Sequence, residues 1–164
     1  MKFLQALAAI AVLGSMSVAA SGGNRVAPTL SLPDRDGATI SLQSLKGKVV
    51  LVDIWASWCI PCRAAFPAYD SLYRQYRDQG FEVLAINVDE TRSAADRFLS
   101  GREFQMRVLF DPTGVAPTGF NVRAMPTSYL VDKQGAIRFS HEGFTDKALP
   151  QYRREVEQLI QEAR

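Results

Sequence analysis

Only two cysteines and one histidine stand among the 164 residues, and that scarcity sets aside two functions. A closed zinc site takes four ligands, whereas Cys59, Cys62 and a distant His141 supply three. A disulfide-stapled scaffold needs bridges that enclose long loops, and a bond between Cys59 and Cys62 encloses so few residues that it would restrict the unfolded chain little. Charge of one sign is lacking too. The 19 basic and 17 acidic residues leave a net charge of +2, and no run of Lys or Arg makes a stripe that could follow a phosphate backbone. Nothing in that balance points to nucleic acid as a partner. Neither an internal repeat nor a low-complexity tract appears. What is present suits one ordinary domain, expected to be a monomer: 47% of residues are hydrophobic, enough for a core without many staples.

The N-terminus differs in composition from the rest. Lys2 precedes an apolar run from Phe3 to Leu13, broken by Gln5, and small residues follow through Ala20. That is the order of an export signal, with cleavage after Ala20 or Ala19, and residues 1–20 are excluded from the fold. The rival reading is an uncleaved anchor, since a span needs about 20 apolar residues. Either way the remainder is expected outside the cytoplasm, periplasmic or on the outer face of the membrane, where a disulfide can persist.

Residues 21–25 read as a flexible lead. Thr29–Leu32 and Ala38–Leu42 alternate around a Pro-Asp-Arg-Asp-Gly turn, a hairpin signal. Val49–Ile54 is apolar apart from Asp53, which suits a central strand covered on both faces. Beyond Cys59, the positions Phe66, Tyr69, Leu72, Tyr73 and Tyr76 recur at helical spacing until Gly80, with Pro67 expected to kink the helix. Phe81–Val88 is the next strand. Ser93 and Asp96 resemble a capping box for an inserted helix toward Leu99. A short strand at Arg107–Phe110 follows, then a hairpin of Thr127–Val131 with Ala136–Ser140. Thr145 or Asp146 is expected to cap a last helix with Leu149, Tyr152, Val156 and Leu159 or Ile160 on one stripe. Alternating strands and helices predict an α/β architecture: a mixed sheet flanked by helices, with an N-terminal hairpin.

The chemistry concentrates where the buried strand hands over to a helix, at Cys59-Ile60-Pro61-Cys62. The helix dipole and unpaired N–H groups favour a thiolate on Cys59, while Cys62 lies one turn inside and is more protected. Cys59 is therefore the expected nucleophile and Cys62 the resolving thiol. A depression of about two pKa units corresponds to about 2.7 kcal/mol in favour of the thiolate. Pro61 fits the first turn, where no hydrogen bond is lost. Asp53, a carboxylate in an apolar strand, is expected to be desolvated and to hold its proton more tightly. Trp58 is expected to be partly exposed, Trp55 and Phe66 to be core, and His141 to sit on a hairpin strand with no catalytic part. A Cu(I) ion on the same two sulfurs remains an alternative.

The segment Trp55-Ala56-Ser57-Trp58-Cys59-Ile60-Pro61-Cys62-Arg63 resembles the active-site segment of the TlpA/ResA-like family of thioredoxin-fold thiol-disulfide oxidoreductases. The likeness extends through Thr39–Leu42, Leu45–Lys48, Asn87-Val88-Asp89 and Met125-Pro126-Thr127, and covers residues 26–164 as one thioredoxin-like domain. It implies a cis Pro126 against the cysteines, with Met125, Pro126 and Thr127 forming a place for an extended substrate chain. It also implies protein thiol or disulfide clients, such as apocytochromes in cytochrome c maturation, electrons from a membrane thiol reductase, and no cofactor beyond the redox-active Cys59–Cys62 pair. By the same likeness Asp53 would take the proton of Cys62. Relatives often carry Asn in place of Asp53 and a Glu where this chain has Ala65, and thioredoxin's lysine near the acid corresponds to Ala85. Pro117 and Gly119 break a segment that is usually a short helix. Reduction is the expected direction, because Ile60-Pro61 offers no donor to hold a thiolate, and oxidation or isomerisation is the alternative. Peroxidase chemistry is set aside, since Val52 and Trp55 replace the proline and threonine of peroxiredoxins.

Overall fold

The computed structural model describes residues 25–162; the expected export signal and most of the expected flexible lead lie outside them. The central strand β4 (Val49–Trp55) is fully buried along its length, as a strand covered on both faces must be. It runs parallel to β5 (Phe81–Asn87), which runs parallel to β6 (Arg107–Phe110). On its other side it pairs antiparallel with β7 (Thr127–Val131), which turns back into β8 (Ala136–Glu142). Arg25–Val26 forms a short strand, β1, against β8, so the ordered chain begins earlier than the flexible lead suggests. The six strands stand in the order β1-β8-β7-β4-β5-β6, a mixed sheet as expected.

Alternation along β4 splits the core in two. Val49, Leu51 and Trp55 face a layer built from α1 (Ile60–Tyr76), α2 (Arg92–Leu99) and α4 (Leu149–Gln161). Val50, Val52 and Ile54 face the opposite layer, made by α3 (Val115–Phe120) and by the hairpin of β2 (Ser31–Pro33) and β3 (Thr39–Ser41). Asp34 ties that hairpin to the sheet edge through a bridge to Leu109 and an ion pair with Arg107 at 3.5 Å.

Three local expectations change, while Pro67 lies where it is expected, inside α1 without ending it. α2 starts at Arg92 with Thr91 at its N-cap; Ser93 lies within the helix and Asp96 receives the Arg92 guanidinium, so there is no capping box. A 3-10 turn over Asp146–Ala148 precedes α4, whose N-cap is Ala148, and neither Thr145 nor Asp146 caps it. Pro117 and Gly119 do not break α3. Pro117 falls in the first turn, where backbone N–H groups have no helical partner, and Asp111 accepts from the amides of Val115 (3.0 Å) and Ala116 (2.7 Å) just before it. Gly119 is small for a packing reason: a Cβ there would lie 3.0 Å from Pro28.

Candidate active site

β4 ends at Trp55, and a tight loop of Ala56, Ser57 and Trp58 carries the chain to Cys59, the N-cap of α1. The buried carboxylate of Asp89, just past β5, holds that loop. It accepts from the Ser57 amide (3.1 Å), the Ser57 hydroxyl (3.2 Å) and the Asn87 side-chain amide (2.9 Å). Hydrogen bonds to a buried charged acceptor are each worth roughly 1.5–3 kcal/mol, and removing the acceptor strands their donors. Asp89→Ala is therefore expected to lower unfolding free energy by about 3 kcal/mol in a urea titration. Asp89→Asn, which keeps one acceptor oxygen, is expected to lose less than half as much; equal losses would mean that the packing and not the acceptor matters.

Cys59 and Cys62 form a disulfide with their Cα atoms 5.3 Å apart. The Cys62 amide donates to Cys59 Sγ at 3.3 Å, so a free N–H of the first helical turn points at the nucleophile position, as the sequence predicts. The two residues differ in access: Cys59 is 6% exposed and Cys62 is wholly buried. Around the mouth, Trp58 (68%) and Ile60 (74%) stand in solvent, while Trp55 and Phe66 are core, their rings 4.4 Å apart. Trp58 thus lies where the sequence reading places it.

The Met125–Pro126 peptide bond is cis, in keeping with the family likeness. Pro61, Met125, Pro126, His141, Phe144 and Tyr152 line a groove of about 510 Å³ beside the disulfide. Thr127 does not reach into it: its side chain is buried and donates to the Ala124 carbonyl at 2.7 Å, fixing the loop that carries Met125. His141 does reach the groove. It sits on β8 as expected, but its Nε2 lies 2.7 Å from Glu155 and its ring packs on Tyr152, so this residue belongs to the wall of the site.

Asp53 is wholly buried, and neither carboxylate oxygen has a hydrogen-bond partner. Loss of hydration pushes its carboxyl up to about 8. The β5 residue paired with it is Ala85, so no cation offsets that cost, as the sequence reading anticipates. Sequence reasoning missed three hydroxyls nearby, from Tyr69 on α1, Ser128 on β7 and Tyr152 on α4. Tyr69 and Tyr152 fit the apolar stripes of their helices, which hid their polar ends. Among the described residues no three of His, Cys, Asp and Glu gather as a metal site, and no helix is long and apolar enough to cross a membrane.

Residues 24–140 match the AhpC/TSA family. A thiol-disulfide oxidoreductase ResA of Bacillus thuringiensis subsp. konkukian is 34% identical over 111 residues, which are 68% of this chain and 64% of that protein, so the match spans somewhat less than two thirds of the relative's own length. The thioredoxin-like protein YneN of Bacillus subtilis is 35% identical over 74% of this chain and 72% of its own length. The crystal structure of a candidate DsbE thiol:disulfide interchange protein from Chlorobium tepidum superposes with a TM-score of 0.80 at 34% identity, covering 84% of this chain and 96% of that one. A match over most of the chain, joined to a CxxC at a strand-to-helix junction and a cis proline beside it, means that the chain belongs to the AhpC/TSA family, among its ResA-like members of thioredoxin fold.

Proposed function

We propose that the protein is an extracytoplasmic thiol-disulfide oxidoreductase that reduces disulfides in protein clients. The observation that carries this reading is the unequal access of two bonded cysteines at a helix N-terminus, Cys59 with a sliver of exposed surface and Cys62 with none. In the reduced protein the Cys59 thiolate attacks a client disulfide, forming one S–S bond and releasing one client thiolate, which takes a proton from water. Cys62 passes its proton to Asp53 and attacks Cys59 Sγ. The bond between Cys59 and the client breaks, the second client sulfur leaves as a thiolate that takes a proton from water, and the protein keeps the disulfide. Two electrons have moved to the client, and a membrane thiol reductase is the class of donor that would return them. Trp58, Ile60 and Pro61 offer an apolar rim, and Met125 and Pro126 one wall of the groove, for an extended client chain.

Direction is the finer part of the proposal. Related dithiol proteins span about −270 mV to about −120 mV, and strong oxidants owe their position to a stabilised reduced form. Ile60-Pro61 contributes no side-chain donor to Cys59. Equilibration with glutathione is expected to place the potential below about −150 mV, with turnover of a disulfide-bonded apocytochrome peptide. A higher potential, joined to oxidation of reduced clients, would reverse the assignment. The leader-like residues 1–20 and the extracytoplasmic setting of such chemistry support export, which fractionation of the full-length chain checks directly.

A further inference from the structure

Three strands set a polar row on the face covered by α1 and α4. Asp53 on β4 pairs with Ser128 on β7, and Ser128 pairs with His141 on β8. Directly paired residues hold their Cβ atoms about 5 Å apart on the same face, so Ser128 is the nearest polar side chain to Asp53 across the sheet. Ser128 belongs to a closed cluster of hydroxyls: its Oγ is 2.7 Å from the Tyr152 hydroxyl and 3.5 Å from that of Tyr69, which donates to Tyr152 at 3.0 Å.

Three hydroxyls carry three protons. Tyr69 donates one to Tyr152, and one more lies between Tyr152 and Ser128, which leaves the third only the 3.5 Å contact between Ser128 and Tyr69, longer than a good O–H···O bond. Beside that loosely held donor stands a buried carboxylate whose two oxygens have no donor. The other groups that face Asp53 offer nothing better: Ala85 on β5 is apolar, Cys62 on α1 is the proton's source, and His141 and Glu155 are engaged with each other at the far end of the row.

We propose that Ser128, Tyr69 and Tyr152 are positioning residues for Asp53, turning their spare O–H onto its carboxylate when the carboxylate is ionised. This rests on the proposed role of Asp53 as proton acceptor for Cys62. The donor stabilises the anion, so it brings the titration of Asp53 down toward the working pH and keeps a larger ionised fraction ready to take the Cys62 proton. When the acid is protonated, the same hydroxyl returns to its long contact inside the cluster.

The test follows the resolving step alone. A mixed disulfide between Cys59 and a chromophoric aryl thiol is prepared, and release of the thiol by Cys62 is timed against pH. In Ser128→Ala the midpoint of that profile is expected to rise by about one unit, with release about tenfold slower at pH 7, the equivalent of one hydrogen bond to the anion. Ser128→Thr, which keeps the hydroxyl, is expected to restore the profile, and the alkylation profile of Cys59 to stay in place in both. Tyr152→Phe, which keeps the ring and so the packing, is expected to move the midpoint in the same direction. A profile unmoved in folded Ser128→Ala and Tyr152→Phe, or Thr behaving as Ala at position 128, overturns the inference. Asp53→Asn separates the two ideas. A titration that disappears in Asp53→Asn but ignores the hydroxyl variants sinks only the positioning role, whereas one that persists in Asp53→Asn removes Asp53 as acceptor and this inference with it.

Discussion

Cys62→Ser is expected to accumulate a client-linked adduct on Cys59, whereas Cys59→Ser is expected to accumulate none and to lose turnover altogether. The asymmetry follows from position on one helix. Cys59 is the N-cap, with a small exposed fraction and a backbone amide aimed at its sulfur; Cys62 is one turn inward with no exposed surface. A client disulfide therefore meets only the first sulfur, and the second can act only after a bond exists to attack. Removing Cys62 stops the cycle at the mixed disulfide, because the hydroxyl of Ser is far too weak an acid to replace the thiolate. Removing Cys59 leaves a thiol that no client reaches. Incubation with an oxidised client, quenching in acid and mass spectrometry of the intact adduct reads both outcomes. Trapping through Cys62 in the Cys59→Ser protein would contradict the role assignment, and trapping by both variants at equal rates would mean that burial does not control access.

The parts of this site that could be read from the sequence are those where chemistry and local structure coincide within a few residues. A buried strand, two cysteines one helical turn apart and a proline in the first turn fix where the sulfurs stand, and the aligned Met125-Pro126-Thr127 fixes what lies beside them. Asp53 was legible as a carboxylate in an apolar run, and its burial follows from that alone. Tyr69, Ser128, His141 and Tyr152 were not, because their meaning comes from register. Ser128 lies opposite Asp53 only because β7 pairs with β4 in one register, and a shift of one residue would put it on the α3 face. His141 follows from the same pairing one strand further out, which is why a residue assigned no part turns up in the groove wall. The misplaced helix starts have a similar origin. Ser93, Thr145 and Asp146 have the side chains of caps, but the tertiary path sets where each helix begins.

Asp53→Asn is expected to make the oxidised protein more stable in neutral solution while slowing its chemistry, and the pH dependence identifies the cause. Burial raises the carboxyl from 3.8 to about 8, so folding favours the protonated form. A raised acid contributes its full stability below its unfolded value and loses it as pH climbs toward the folded one. Between those limits the unfolded chain ionises at this position and the folded chain does not, which costs about 1.36 kcal/mol per pH unit. From pH 4 to pH 7 the wild type is thus expected to lose about 4 kcal/mol relative to Asp53→Asn. The comparison across pH matters more than either value alone. A buried amide short of partners carries its own penalty of about 1–3 kcal/mol, but that penalty does not change with pH and cancels from the difference. Urea unfolding of both proteins at the two pH values measures it, and curves that stay parallel would show that Asp53 is hydrated or paired in the folded chain. The same substitution removes the proposed acceptor for the Cys62 proton, and resolution of a mixed disulfide is expected to slow by about 100-fold at pH 7. Loss of stability and loss of the resolving step over the same pH range would together support the proposed proton-transfer role of Asp53.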